Sequence, residues 1–174
     1  MSRRQPDLSI DSVRFPVQVA GEISQDYEFF GGFSLLRLGA GAAVHQETWR
    51  KTRTTLSATG LVPPGLAGVD WSTSHLLGCV APRSIQAASP VIALPAARRS
   101  DAAPYGFAVD ENGLLRSVAV SLAGDVATLG PVAGALSYQV LWYPLLTVRA
   151  PAGVRASYDA AGAVASWELA CEEV

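Results

Sequence analysis

The sequence predicts an all-β protein, an antiparallel β-sandwich or barrel with long loops and at most short helical turns. Three observations carry that expectation. Apolar and polar residues alternate with a period of two in segments from Val13 to Cys171. Sixteen glycines and eleven prolines are spread along 174 residues and cut the chain into short segments. No stretch carries the apolar spacing of a convincing amphipathic helix. The length suits one domain, so residues 1–174 form one β-rich domain in the simplest partition. Any seam between two lobes is expected near residues 96–104.

Residues 1–11 read as a polar arm or a lead-in. Ser12 to Ala20 alternates, placing Val13, Phe15, Val17 and Val19 on one face, with Pro16 confining the strand to an edge. Glu22 to Glu28 reads as a polar loop leading into Phe29-Phe30, and Gly31-Gly32 reads as a turn. Phe33 to Leu38 is a short strand ended by Gly39 and Gly41. Ala43 to Thr59 is rich in threonine and extended, with Thr52, Thr54, Leu56 and Ala58 on one parity. Gly60 ends it, and one helical turn is expected near Pro63–Val69, where proline suits a first turn.

His75 to Ala81 and Ile85 to Leu94 are further strands, interrupted at Pro82, Pro90 and Pro95. Ala96 to Pro104 is the most loop-like segment. Phe107–Val109, the Asp110–Gly113 turn and Leu114–Ala123 form a hairpin, because Asn112-Gly113 supplies the positive φ that a tight turn needs. Val118, Val120 and Leu122 are expected to face inward there. Ser137 to Arg149 is the most apolar strand region. A last hairpin turns at Asp159–Gly162, and Ala165, Trp167, Leu169 and Cys171 share the inner face of its return strand.

Composition excludes several functional classes. Charged residues make up only 16%, against about a quarter in an average domain. Thirteen Lys+Arg against fifteen Asp+Glu leave a net charge of −2, too little for a strongly basic nucleic-acid binder or an acidic tail. High hydrophobicity argues against disorder. No apolar run is long enough for a transmembrane helix, and no signal-type apolar segment follows the charged N-terminus. Lys51 is the only lysine beside twelve arginines, a bias that reflects a GC-rich genome rather than chemistry.

No catalytic, cofactor-binding or metal-binding residue is expected. Cys79 and Cys171 stand alone, and buried reduced thiols are the simple reading. His45 and His75 lie thirty residues apart without a ligand motif, although Glu47 would share a strand face with His45. Gly39-Ala40-Gly41 follows a strand, but no helix follows to hold a pyrophosphate, so it reads as a turn between strands. There is no GxSxG nucleophile motif. Tyr138, Trp142 and Tyr143 suit a core or a subunit interface better than a stacking platform. In Arg50-Lys51-Thr52-Arg53 the bases fall on both faces, which suits ion pairing better than nucleic acid.

The block Trp49-Arg50-Lys51-Thr52-Arg53 through Pro63-Pro64-Gly65-Leu66 resembles a segment of virion structural proteins of tailed bacteriophages. Cys79-Val80-Ala81-Pro82-Arg83-Ser84-Ile85 and Ser166-Trp167-Glu168-Leu169 add to that resemblance, which covers about a third of the chain. It implies a non-enzymatic β-rich homo-oligomeric subunit of the tail tip or baseplate of a long-tailed phage, made in the bacterial host cytoplasm and located in the virion. Its partners would be other virion proteins and copies of itself; no cofactor, membrane, nucleic acid or small molecule is expected. A capsid decoration or head–tail joining protein is the alternative. A β-sandwich binding a small ligand or carbohydrate through Trp142, Tyr143 or Trp71 is the alternative from another class. The Glu22–Glu28 and Ala96–Pro104 loops are the expected contact elements, with Arg98, Arg99, Asp101, Arg50 and Arg53 as interface candidates.

Overall fold

The computed structural model describes residues 6–11, 13–15, 19, 21–161 and 164–174. The fold is all-β, and the described residues contain strands, turns and bends but no helix. The chain divides into two compact units. Unit 1 comprises Met1–Ser9 and Leu77–Leu146; unit 2 comprises Ile10–Leu76 and Thr147–Val174. The Ala96–Pro104 segment lies wholly inside unit 1.

Unit 2 carries an eight-stranded sheet. Its strands are β1 (Ser9–Ile10), β2 (Val13–Arg14), β3 (Glu22–Arg37), β4 (Ala43–Gly60), β5 (His75–Gly78), β13 (Leu145–Arg149), β14 (Val154–Asp159) and β15 (Val164–Glu173). They run in the order β2-β1-β5-β13-β15-β4-β3, with β14 also paired to β15. The chain passes between the units along β1, β5 and β13. β15 is antiparallel to β4 through Ala165↔Gly60 to Glu172↔Arg53, and β4 to β3 through Thr59↔Glu22 to Ala43↔Arg37. That register places Thr52, Thr54, Leu56 and Ala58 beside Trp167, Leu169 and Cys171 on one buried face, as both alternations require. Trp167 stacks on Phe15 at 5.7 Å and donates its indole N–H to the Val19 carbonyl at 3.0 Å.

Unit 1 is built from two smaller antiparallel sheets. β6 (Arg83–Ala87), β12 (Ser137–Trp142), β8 (Tyr105–Val109) and β9 (Leu115–Val118) form one; β10 (Val120–Ala123), β11 (Val126–Leu129) and β7 (Val91–Ala93) form the other. Ile92, Ala127 and Leu129 from one sheet meet Ala108, Tyr138, Val140 and Trp142 from the other in a common core. Gly106 permits the close approach: a Cβ there would press on Leu129 and Val120 side chains across the core. The Asp110–Gly113 turn joins β8 to β9 with Gly113 at φ +76°, as expected from Asn-Gly.

Several expectations give way to the structure. Glu22–Glu28 is not a loop but the first half of β3, because pairing with Arg53–Thr59 supplies partners that the local sequence does not reveal. Gly31-Gly32 is not a turn; both residues sit inside β3, at a register shift between Gly32 and Phe33. Pro63–Val69 forms no helical turn. Isolated turn bonds, from Leu66 N–H to the Pro64 carbonyl and from Val69 N–H to the Leu66 carbonyl, close it instead, and the second proline steers the first away from helical geometry. Val13 is exposed whereas Phe15 and Val19 are buried, so their expected common face does not hold; Ser12, Pro16–Gln18 and Ala20 lie outside the described residues. Leu122 is 44% exposed, because the chain changes sheets at Ala119 and β10 is an edge strand.

Candidate functional site

The hairpin of β3 and β4 changes character halfway along. Near its root β4 alternates buried with more exposed residues, Thr52, Thr54, Leu56 and Ala58 packing inward, and β3 alternates half-buried with exposed ones. β15 pairs with β4 only from Arg53 to Gly60, so residues 43–52 of β4 have one strand neighbour, β3. Beyond Lys51 every residue of β4 is exposed, and so is β3 from Phe33 to Arg37. The result is a two-stranded arm continuing past the packed part of unit 2. Its tip closes through Leu38 N–H to the Ala42 carbonyl at 2.9 Å and Gly41 N–H to the Leu38 carbonyl at 2.7 Å. Gly41 has φ +81°, so the Gly39-Ala40-Gly41 sequence is the inter-strand turn it was expected to be.

This arm carries exposed apolar side chains on both faces. Phe33 and Leu35 lie on one side, opposite Glu47 and His45; Leu36 faces Val44 on the other. Phe33 (53%), Leu35 (59%), Leu36 (48%), Leu38 (57%) and Trp49 (49%) are all strongly exposed. Thr48 is the extra residue of a bulge in β4, since Gly32 faces Trp49 while Phe33 faces Glu47. Its hydroxyl donates to the Gly32 carbonyl at 2.9 Å. Trp49 packs edge-on against Phe30 at 5.5 Å, and Arg50 lies over the Phe29 ring at 4.9 Å. Phe33 stacks on His45 at 6.4 Å. A soluble domain seldom leaves so many large apolar side chains together in water without a surface to cover them.

Arg50 and Arg53 belong to this hairpin and do point to opposite faces. Arg50 approaches Glu47 at 3.4 Å. Arg53 holds Glu28 at 2.6 Å and Glu172 at 2.7 Å, and these hydrogen bonds raise its pKa further. The other three interface candidates lie elsewhere, in unit 1. Arg98 pairs with Asp125 at 2.7 Å and donates to the Gly124 and Pro95 carbonyls. Arg99 is 5% exposed. Its guanidinium grips both Asp101 carboxylate oxygens and the carbonyls of Asp7, Gly78 and Cys79, so it ties together strands of its own unit. The arginine fork does meet a carboxylate within the same chain: Arg99 is spent on Asp101 and three carbonyls, while Ala96, Ala97, Ser100, Asp101 and Ala103 of the same segment are exposed.

One titratable cluster was missed in the sequence. His75 is buried, with Nδ1 at 2.8 Å from Asp11 Oδ2 and Nε2 at 3.0 Å from the Asp70 carbonyl. Asp11 Oδ1 also accepts the Leu76 N–H at 2.8 Å, and Asp11 itself sits at φ +53°. The Asp11 hydrogen bond, then the Asp70 carbonyl, raise the pKa of His75; His75 and Leu76 together lower that of Asp11. Thr73 Oγ1 lies 3.4 Å from Nε2 but donates to the Asp70 carbonyl at 2.9 Å, so hydroxyl and imidazole both serve the turn rather than each other. A hydroxyl–imidazole–carboxylate sequence is present, but the Thr73 hydroxyl and the imidazole both bond the Asp70 carbonyl, so the hydroxyl is not paired to the ring as a nucleophile is to its base. The separation of sixty-four positions between Asp11 and His75 left no spacing signal for it.

Trp142 and Tyr143 are buried, which removes them as a ligand platform; Trp71 packs edge-on against His75 at 5.3 Å. His45 and Glu47 share a face as expected, 3.5 Å apart and exposed. Among the described residues no group of three or more His, Cys, Asp or Glu is placed to hold a metal ion. No family model, curated protein or solved structure matches this chain, so the functional reading rests on the arm and on the geometry around it.

Proposed function

We propose that this protein is a non-enzymatic structural subunit of a tailed-phage virion, a tail or baseplate ring protein whose β3–β4 arm docks onto neighbouring subunits. The single observation supporting the reading is the arm: a two-stranded ribbon with large apolar side chains exposed on both faces and uncovered by its own unit. Isolated two-stranded hairpins are marginal in water. A hairpin with Phe33, Leu35, Leu36 and Trp49 exposed gains stability chiefly when another surface buries those side chains. The low charge of the chain fits the same role, because a near-neutral apolar subunit is best kept from nonspecific association by specific neighbours. The block that resembles phage virion proteins begins at Trp49, within the arm.

The test is twofold. Sedimentation of the purified chain should give a mass that is a multiple of 18.2 kDa. Antibody against it should detect it in gradient-purified particles released by cells carrying its gene. A chain that sediments as a monomer and is missing from particles overturns the proposal.

A further inference from the structure

β3 is the terminal strand of its sheet, and among the described residues no strand pairs with its outer edge. Such an edge offers a row of backbone N–H and C=O groups to any strand laid alongside. Folded proteins blunt exposed edges with lysine, proline, charged side chains or a bulge in the edge strand itself. From Phe29 to Leu36 β3 has no charge, no lysine and no proline, and the bulge of this hairpin falls at Thr48 in β4. The edge is therefore built to accept a strand.

Charge along β3 indicates which strand. Glu22 and Asp26 stand at the root, next to Glu28, which Arg53 of the same chain already holds, and Arg37 stands at the tip. Their order means that a second β3 laid antiparallel sets the acidic root of each copy beside the basic tip of the other. A parallel arrangement sets acid against acid and gains nothing from the polarity. The uncharged Phe29–Gly32 stretch then lies at the middle of the pair, where no charge has to be buried.

We infer that two copies of this chain pair β3 to β3 in antiparallel fashion, forming one continuous sheet through both arms about a two-fold axis. The inference rests on the assembly role proposed above and names the partner as a second copy. Backbone hydrogen bonds supply the attraction, and with Asp26 opposite Arg37 the exposed Phe33 of each copy comes opposite Phe30 of the other. A ring built from such pairs has two-fold axes perpendicular to its ring axis.

Two exposed single substitutions and their mixture test this. Asp26→Arg gives a strand that is basic at both contact points, and Arg37→Asp one that is acidic at both. Each variant alone should associate about tenfold or more weakly than the unaltered chain, since two like-charge contacts replace two opposite ones. An equimolar mixture of the two should recover association, because every contact between unlike variants is again acid against base. Circular dichroism of each variant checks that the sheets are intact. An oligomer that forms equally well in all three samples, or a mixture that stays as weak as its components, overturns the β3 pairing and leaves the assembly role standing. A chain that is monomeric at about 100 μM yet present in particles also overturns only the pairing. A monomer absent from particles overturns both.

Discussion

His75 has a hydrogen-bond acceptor at each ring nitrogen, the Asp11 carboxylate and the Asp70 carbonyl, and neither acceptor can donate. The doubly protonated ring can donate to both acceptors, so the fold favours the imidazolium over the neutral form. The raised pKa of His75 contributes stability that is fully present below the ordinary histidine value of 6.5. It is lost as pH rises through the higher folded value. The lowered pKa of Asp11 contributes stability that is present above 3.8 and lost below it, as pH falls through the folded value. The melting temperature should thus fall as pH is raised from about 6 to about 9, and Asp11→Asn should flatten that decline. Equal slopes in the two proteins would show that the pair does not carry the effect. Arg99 is the second decisive residue. Arg99→Met removes the guanidinium that donates to the Asp7, Gly78 and Cys79 carbonyls. The expected loss is about 3 kcal/mol in denaturant unfolding, since a hydrogen bond from a charged group is worth on the order of 1.5–3 kcal/mol.

At the scale of elements, β15 and the β3–β4 hairpin behave in opposite ways. β15 is held on both edges, by β4 on one side and by β14 and β13 on the other. Its inner residues Ala165, Trp167, Leu169 and Cys171 are all buried. Trp167→Ala removes the stack on Phe15 and the bond to Val19, and should cost about 3–5 kcal/mol, the usual range for emptying a large aromatic site. The outer arm instead has little of its own fold resting on it. Phe33→Ser with Leu35→Ser should shift unfolding by no more than about 0.5 kcal/mol, as for other surface changes, while weakening self-association. Gly31 is the sensitive point inside the arm. A Cβ there would run into the Trp49 carbonyl oxygen, part of the facing backbone rather than a movable side chain. Gly31→Val should therefore open the ladder beyond it, seen as faster amide exchange at residues 33–44 with the rest of the sheet still protected.

For the whole molecule, the buried residues of each unit lie outside the exposed part of the arm. Unit 1 closes its two sheets around Leu129 and Val140; unit 2 closes its sheet over Leu56, Trp167 and Leu169. Replacing residues 30–50 by a tight turn should leave the β-sheet spectrum of the remaining chain and abolish assembly. Loss of the spectrum would mean that the arm is part of the fold. The cysteines belong to different units, Cys79 to unit 1 and Cys171 to unit 2, and both are buried as reduced thiols. Replacing both by serine should keep the fold, at a cost of about 1–3 kcal/mol per site for the buried hydroxyl.

Strand identity and inner faces were legible wherever alternation was strong and the partner lay nearby. The alternation of Trp167, Leu169 and Cys171, and the Asn112-Gly113 turn, follow from the pleat and from the positive φ that glycine tolerates. The same rule makes Thr52 and Thr54 companions of Leu56 on one parity, and all three are buried. The nature of β3 was not legible. Glu22–Glu28 looks like a loop because its polar residues face water, and only the distant strand Arg53–Thr59 turns it into a ladder. Apolar residues on both parities, Phe33 and Leu35 beside Leu36 and Leu38, were the one local sign of an arm without an inner face. Likewise Arg99 reads in sequence as a surface base in a loop, whereas the fold surrounds it with carbonyls from residues twenty and more positions away. Alternation is a local property of the backbone, so the sequence by itself determined an all-β chain and the inward faces of its central strands. Which strand edge stays open, and which charges are spent inside the chain, depends on contacts between distant residues, and only the tertiary structure decided them.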